Sequence, residues 1–469
     1  MTTLAVGSSV TLTVGDGGTV TVSTNGGIGS VTITPTVGSA ISETFGPAPF
    51  RKVYGDFKEG ASVVVSNSTC ATLDYDWQVG NSAAVKDLVS TYGNLTAPLN
   101  LAYPLPKWRK ALSDAISGVA DARVIFIGDS TTAGLLPAST GSWSRTATAL
   151  AAKLLSARGV PVNANSFTGD QGRQGGATFT TFDPRVTLGA NWSSAAAGQS
   201  FAAGSPIGNT AGSGTFSFTP TDPVTGAAYA FDTIDVYYVQ NTAYGSFTIG
   251  VDGGAAIGAT VACAGTRGLQ VATRATTLAG HTVNINATVS GQIYILYIVC
   301  SNSAQKAVRI MNHGGGSYTS TNYLMGTVGD FTPTAALTNN ALSAPLAPHL
   351  AIVDLGINDR RLAAYTSTFD TNMQSLITRL QAVGSDIILC KPVPSDITYS
   401  SFTTRENQDL FDAAIDRLAV ANGLQVYSKR ARLQAYEISN PMGYYADGLH
   451  LTYGGYAAQA VDLANLLLA

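Results

Sequence analysis

The run Val124-Ile125-Phe126-Ile127 constrains the fold most, because four consecutive β-prone apolar residues leave no side of the strand for water. Such a strand has to be covered on both faces, which is the condition of a strand inside a parallel sheet. Similar runs recur at Leu350-Ala351-Ile352-Val353-Asp354-Leu355, Ile387-Ile388-Leu389-Cys390 and Leu424-Gln425-Val426-Tyr427. Helical spacing alternates with them, first at Trp108, Leu112, Ala115, Ile116 and Val119, then over 142–158, 367–383, 404–422 and 453–468. Strands alternating with helices predict an α/β domain, a parallel sheet with helices on both faces.

One connection is too long for that pattern. It runs from Gly169 to Gly356, where a crossover needs about a dozen to a few dozen residues. Within it, Ile234–Val239, Ser246–Val251 and Gln292–Val299 are strand-like, with turns at Asp252-Gly253-Gly254 and Gly280-His281. An inserted β-sandwich of jelly-roll type is expected over 193–335, leaving 107–192 and 336–469 to the α/β domain. No fixed period is present, which excludes a solenoid or propeller. Residues 1–75 alternate in the strand period, as in Val10-Thr11-Leu12-Thr13-Val14 and Thr19-Val20-Thr21-Val22. Gly15-Asp16-Gly17-Gly18 between those runs is a hairpin signature. This part reads as a small all-β module for attachment or assembly, joined by a connector over 76–106.

Charged residues make up 12% of the chain, against about 25% in average soluble domains. A net charge of −3 gives no footprint for nucleic acid. The cluster Lys107, Arg109 and Lys110 lies on a predicted helix and reads as a solvated face. No apolar run approaches the ~18 residues of a membrane span, so no membrane association is expected. The N-terminus has no basic stretch followed by an apolar one, so no signal peptide is expected. Cys70, Cys263, Cys300 and Cys390 lack metal or redox spacing. Cys390 reads as a buried thiol, and whether Cys263 and Cys300 are bridged is left open by the sequence.

Three short segments carry chemistry: Gly128-Asp129-Ser130, Gly356-Ile357-Asn358-Asp359 and Asp447-Gly448-Leu449-His450. In open parallel sheets ligands gather at the carboxyl ends of strands, where the first two segments fall. Ser130 is then on a tight strand-to-helix turn, and a serine hydroxyl needs a neighbouring base to become a nucleophile. His281 and His313 fall in the predicted insert and His349 begins a strand, which leaves His450. Asp447, three residues earlier, can orient its imidazole. Oxyanion donors are the Ser130 N–H, a glycine N–H from the loop after the second strand, and the Asn358 amide. Asp129 and Asp359 read as residues that tie their turns. No two histidines stand at ligand spacing, so neither metal nor other cofactor is expected. Arg185 and Trp192, near the insert boundary, are candidate substrate contacts. Tyr237, Tyr238, Tyr294 and Tyr297 lie in strand-like runs, where about half of such residues are core, and read as packing rather than as a sugar-binding face.

These residues resemble the SGNH (GDSL-type) hydrolase family. Gly128-Asp129-Ser130 matches its nucleophile block, with Thr131 where leucine is frequent. Ser166-Phe167-Thr168-Gly169-Asp170 resembles the second block, which makes Gly169 the oxyanion glycine, with Gly172, Gly175 and Gly176 competing. The segments at Asn358 and at Asp447–His450 match the third and last blocks. The resemblance covers 107–192 and 345–469 and implies a flavodoxin-like three-layer α/β/α fold. It also implies carboxylic ester hydrolysis through an acyl-enzyme. Ser130 attacks, His450 carries the proton, Asp447 orients it, and Ser130, Gly169 and Asn358 hold the oxyanion. A G-x-S-x-G elbow is absent, which argues against the α/β-hydrolase alternative.

With its Gly- and Thr-rich N-terminal module and inserted sandwich, the whole chain resembles bacteriophage tail-fibre or tailspike deacetylases. That resemblance implies an O-acetylated capsule or O-antigen polysaccharide as substrate. It further implies tail or baseplate proteins as partners of the N-terminal module, a place in the virion acting at the bacterial surface, and a homotrimer. No heptads or β-helix repeats stand in the sequence to enforce the trimer. The alternatives are a bacterial secreted esterase or lipase on other esters, and a glycan-binding virion protein with a relic hydrolase domain.

Overall fold

The computed structural model describes eight strands between Thr2 and Gln78, then residues 105–136, 142–169, 176–194, 206–222, 226–266, 268–324 and 347–468. Cys70, Gly172, Gly175 and the interior of the connector lie outside the described residues. The chain divides into two compact units, Met1–Thr96 and Ala97–Ala469. Among the described residues no helix is long and apolar enough to cross a membrane.

The N-terminal unit holds two four-stranded antiparallel sheets. The hairpin expected around Gly15–Gly18 does not form. Ser9–Val14 pairs with Ala61–Asn67, whereas Thr19–Thr24 pairs with Leu73–Gln78 and Phe50–Tyr54 in the other sheet. Period-two alternation specifies which face of a strand is apolar, and says nothing about its neighbour. Val31, Val63 and Val65 are buried on those faces.

The second unit is built on six parallel strands: β1 (Ala122–Gly128), β2 (Val162–Asn163), β3 (Val308–Gly314), β4 (Leu350–Asp354), β5 (Asp386–Lys391) and β6 (Gln425–Ser428). Their order across the sheet is β2-β3-β1-β4-β5-β6. The helices are α1 (Pro106–Ile116), α2 (Ser130–Ala133), α3 (Ala147–Ala157), α4 (Gly176–Phe182), α5 (Ser320–Leu324), α6 (Ile357–Leu362), α7 (Ser367–Ala382), α8 (Arg405–Asn422), α9 (Lys429–Leu433), α10 (Tyr436–Ser439) and α11 (Tyr453–Leu468). This is the predicted α/β fold. Ile125, Ile127, Ala351, Val353, Ile387 and Leu389 point to one face and pack against Met373, Ile377, Phe411 and Ile415 of α7 and α8. Trp108 of α1 is buried and donates its Nε1–H to the Leu467 carbonyl at 2.8 Å, tying α1 to the last helix.

The insert is two five-stranded antiparallel sheets whose strands lie between Val186 and Ser301. Phe216, Phe247 and Ile285 of one sheet share a core with Ile234, Val236 and Ile295 of the other. The opposite face of the second sheet, with Tyr237, Tyr294 and Tyr297, joins the core of the parallel sheet. These three tyrosines and Tyr238 are buried, in keeping with the packing reading. Cys263 and Cys300 are free thiols inside the insert's core and are not bridged.

Both expected insert bounds, 193 and 335, shift: Val186–Leu188 and Trp192 already pair within the insert's two sheets, and the insert ends before β3. Val308–Gly314 lies in the predicted insert, yet it is β3, paired with β1 from Val308↔Ala122 to Gly314↔Gly128. Arg309, Asn312 and His313 interrupt its apolar pattern, so it does not read as a buried strand. The chain thus runs from β1 out to edge strand β2, through the insert and back to β3, then across β1 to β4. Strand order reverses at β1, and the crevice of a parallel sheet opens at that point, outside the carboxyl ends of β1 and β4.

Candidate active site

β1 ends at Gly128, and Asp129 caps α2 by accepting hydrogen bonds from the Thr131 N–H (2.8 Å) and Thr131 hydroxyl (2.9 Å). Ser130 is the first residue of α2, where a backbone N–H has no acceptor within the helix. His450 reaches it from the loop before α11, with Nε2 3.0 Å from Ser130 Oγ. On its other side, His450 Nδ1 is 2.8 Å from Asp447 Oδ2. Asp447 Oδ1 accepts the N–H groups of Leu449 (2.7 Å) and His450 (2.6 Å). Burial alone would raise the Asp447 pKa. The hydrogen bonds from the His450 ring and from these two N–H groups overcome it and hold the carboxylate below its usual range. Residues 320 positions apart in the chain therefore form one hydrogen-bonded line.

Asn358, in α6, is buried, donating Nδ2–H to the Tyr318 carbonyl (3.0 Å) and accepting from Arg361 Nε (3.3 Å). It is thereby joined to the loop after β3. Asp359 accepts the Ser320 N–H (3.1 Å) and hydroxyl (2.6 Å) at the start of α5, and burial raises its pKa. Like Asp129, it ties a turn.

The second-block glycine is displaced from its expected place. Gly169 follows β2 at the sheet edge and lines a cavity of about 40 Å³ with Trp143, Thr148, Arg185 and Asn312. The strand beside β1 is β3, and its closing glycines meet the candidate nucleophile's helix. A Cβ on Gly314 would lie 2.2 Å from the Ala133 nitrogen. Gly314 and Gly315 donate their N–H groups to Asn312 Oδ1 (2.9 Å) and the Gly128 carbonyl (3.0 Å). Gly316 is the glycine of this loop whose N–H has no acceptor among the described residues.

Neither candidate substrate residue is free for that role. Arg185 is buried, paired through Nε and Nη2 with both oxygens of Asp183 at 2.7 Å, and its guanidinium carbon lies 3.5 Å from the Trp143 ring centre. Trp192 is buried in the insert's core against Phe216. Both sit at an internal boundary, which sequence position alone does not distinguish from a surface one.

Sequence reasoning missed a buried charged group beneath Ser130. Asp354, the last residue of β4, accepts the Thr132 hydroxyl at 2.7 Å and is paired with Lys429, which is also buried. Burial lowers the Lys429 pKa, but the Asp354 charge outweighs it and the ammonium titrates above its usual range. Asp129 is raised to about 7, by burial first and then by the Asp354 charge. A carboxylate in a strand read as doubly covered was the available signal, since a buried charge requires a partner. Lys429 had no such signal.

Residues 297–458 match the GDSL-like Lipase/Acylhydrolase family. The match includes β3, Asn358, Asp447 and His450, and Ser130 lies before it, on the far side of the insert. No curated protein matches the chain. Among solved structures, a peptidoglycan O-acetylesterase superposes with a TM-score of 0.57 at 17% identity, over 78% of this chain and 97% of its own. A lipase/acylhydrolase from Enterococcus faecalis gives 0.28 at 19% identity, over 34% of this chain and 76% of its own. A family two carbohydrate esterase from Clostridium thermocellum gives 0.26 at 11% identity, over 60% and 98%. The first of these similarities is one of shared fold.

Proposed function

We propose that this chain, whose residues 297–458 match the GDSL-like lipase/acylhydrolase family, is a serine esterase that removes O-acetyl groups from a bacterial surface polysaccharide. The observation that carries the esterase reading is the line Ser130 Oγ–His450 Nε2–Asp447, at 3.0 and 2.8 Å. Asp447 keeps the Nδ1–H tautomer, so Nε2 is free to take the Ser130 proton as Oγ attacks the ester carbonyl. The developing oxyanion is held by the Ser130 N–H, by the second Nδ2–H of Asn358, and by Gly316 N–H in place of Gly169. His450 then protonates the departing alcohol, and water releases acetate from the acyl-enzyme by the same route in reverse.

The polysaccharide is favoured by the fold shared with a peptidoglycan O-acetylesterase and by the β-sandwich set into the domain. The separate N-terminal β unit suits attachment to a larger assembly such as a phage tail. The test is acetate release from p-nitrophenyl acetate and from O-acetylated bacterial polysaccharides, wild type against Ser130→Ala. Release from both, lost in the variant, is the expected result. Release that is indifferent to Ser130 overturns the esterase. Release only from octanoyl or longer esters overturns the acetyl-glycan substrate.

A further inference from the structure

The segment between β5 and α8 is a strap joining the two parts of the site that carry Asn358 and His450. At one end the Ser400 hydroxyl donates to the Arg361 carbonyl at 2.9 Å, and Arg361 in turn contacts Asn358. At the other end the Asp396 N–H donates to the Gly448 carbonyl at 2.9 Å, and the Tyr445 hydroxyl donates to the Pro394 carbonyl at 2.6 Å. Between these anchors Asp396 Oδ1 accepts the Thr398 N–H and hydroxyl, both at 2.7 Å, so the strap is a bonded turn.

Its aromatic residues face water. Tyr399 is 43% and Phe402 39% exposed, unusual for large rings when the other aromatics among the described residues are mostly packed. Tyr399 lies directly on the loop that presents His450. A Cβ on Gly448 would stand 2.3 Å from Tyr399 Cδ2, so the ring occupies the space that the glycine leaves. Ile397, on the strap, and Ile438 and Met442, on the segment leading to Asp447, are also exposed.

We infer that Tyr399 and Phe402 form a sugar-binding platform for the alcohol side of the substrate, a pyranose ring bearing the ester. The inference rests on the esterase reading above. His450 must hand its proton to the departing alcohol oxygen, so the alcohol lies on the side of the His450 loop, where Tyr399 sits. An exposed aromatic face matches the apolar C–H face of a pyranose, while Thr398 and Asp396 beside it offer polar groups to the hydroxyls. A long acyl chain would instead call for an enclosed apolar channel, and the strap is an open surface with polar groups interleaved.

The experiment compares wild type, Tyr399→Ala, Tyr399→Phe and Phe402→Ala in full-length protein. Substrates are acetylxylan and glucose pentaacetate, with ethyl acetate as an ester lacking any ring. The expected result is a fall of about tenfold or more in kcat/KM for Tyr399→Ala on the acetylated sugars. The fall should come mainly through KM, with ethyl acetate hydrolysis unchanged and Tyr399→Phe near wild type. Parallel loss on sugars and ethyl acetate overturns the platform, since the ring would then act through the catalytic loop. No loss on either also overturns it. A wild type that cleaves ethyl acetate through Ser130 but no acetylated sugar refutes the platform alone. One that cleaves none of them refutes the esterase reading itself.

Discussion

The Thr132 hydroxyl donates to Asp354 Oδ2 at 2.7 Å, across the junction of β1 and β4, and the same carboxylate is paired with Lys429. The turn carrying Ser130 is thus fastened from below by a buried ion pair, and its Thr132 carbonyl accepts Asn312 Nδ2–H at 2.8 Å from β3. Removing the ammonium leaves the buried Asp354 carboxylate without its cation. Lys429→Met is expected to cost about 3–5 kcal/mol, and Thr132→Val about 1–3 kcal/mol. Urea unfolding of the purified variants measures both, and equal, negligible losses would refute the fastening role.

The hydrogen-bonded line to Ser130 sets expectations for turnover. Ser130→Ala should lower kcat about 10⁴-fold or more on p-nitrophenyl acetate. Asp447→Asn, which presents an amide N–H₂ to His450 Nδ1 and favours the wrong tautomer, should lower it about 10³–10⁴-fold. Asn358→Ala, which removes one of the proposed oxyanion donors, should lose about 10²–10³-fold in kcat with little change in KM. Stopped assays at saturating ester distinguish the three.

Asp129 links stability to alkaline pH. Its folded pKa, about 7 through burial and the Asp354 charge, lies above the ordinary carboxylate value of 3.8. The folded state therefore holds a proton that the unfolded chain has released, and stability from this group is lost as pH rises from about 4 through 7. Asp129→Asn keeps the oxygen that accepts from Thr131 and carries no charge. Relative to wild type it should gain stability at pH 8 and show little difference at pH 4, read from thermal unfolding at each pH.

His313 acts in the opposite direction. It is fully buried in β3, 5.0 Å from the Tyr297 ring centre, and neither ring nitrogen has a partner among the described residues. Burial lowers its pKa from 6.5 to about 3. Between those values the unfolded chain binds the proton and the folded one does not, so stability falls as pH drops below 6.5, by up to about 1.4 kcal/mol per unit. His313→Leu should flatten that acid limb in urea titrations between pH 4 and 6.5. An unchanged limb would mean that His313 is protonated in the folded state.

What the sequence determined by itself is local. The apolar runs Val124–Ile127, Leu350–Val353 and Ile387–Cys390 could be read as doubly covered strands because every residue in them must leave water. The order Ser130, Asn358, Asp447, His450 could be read as a site because the short segments resemble the ordered blocks of the SGNH family, and turns carry their chemistry in adjacent residues. Only the tertiary structure decided what depends on distant neighbours. It placed Val308–Gly314 beside β1, so that Gly314 meets the Ser130 helix, while Gly169 follows the edge strand β2. It buried Lys429 against Asp354 and Trp192 in the insert's core, and it sent Ser9–Val14 and Thr19–Thr24 into different sheets. The physical reason is the same in each case. Periodicity encodes which side of a strand or helix is apolar, whereas strand partners, buried ion pairs and close backbone approaches are selected by the packing of the whole domain.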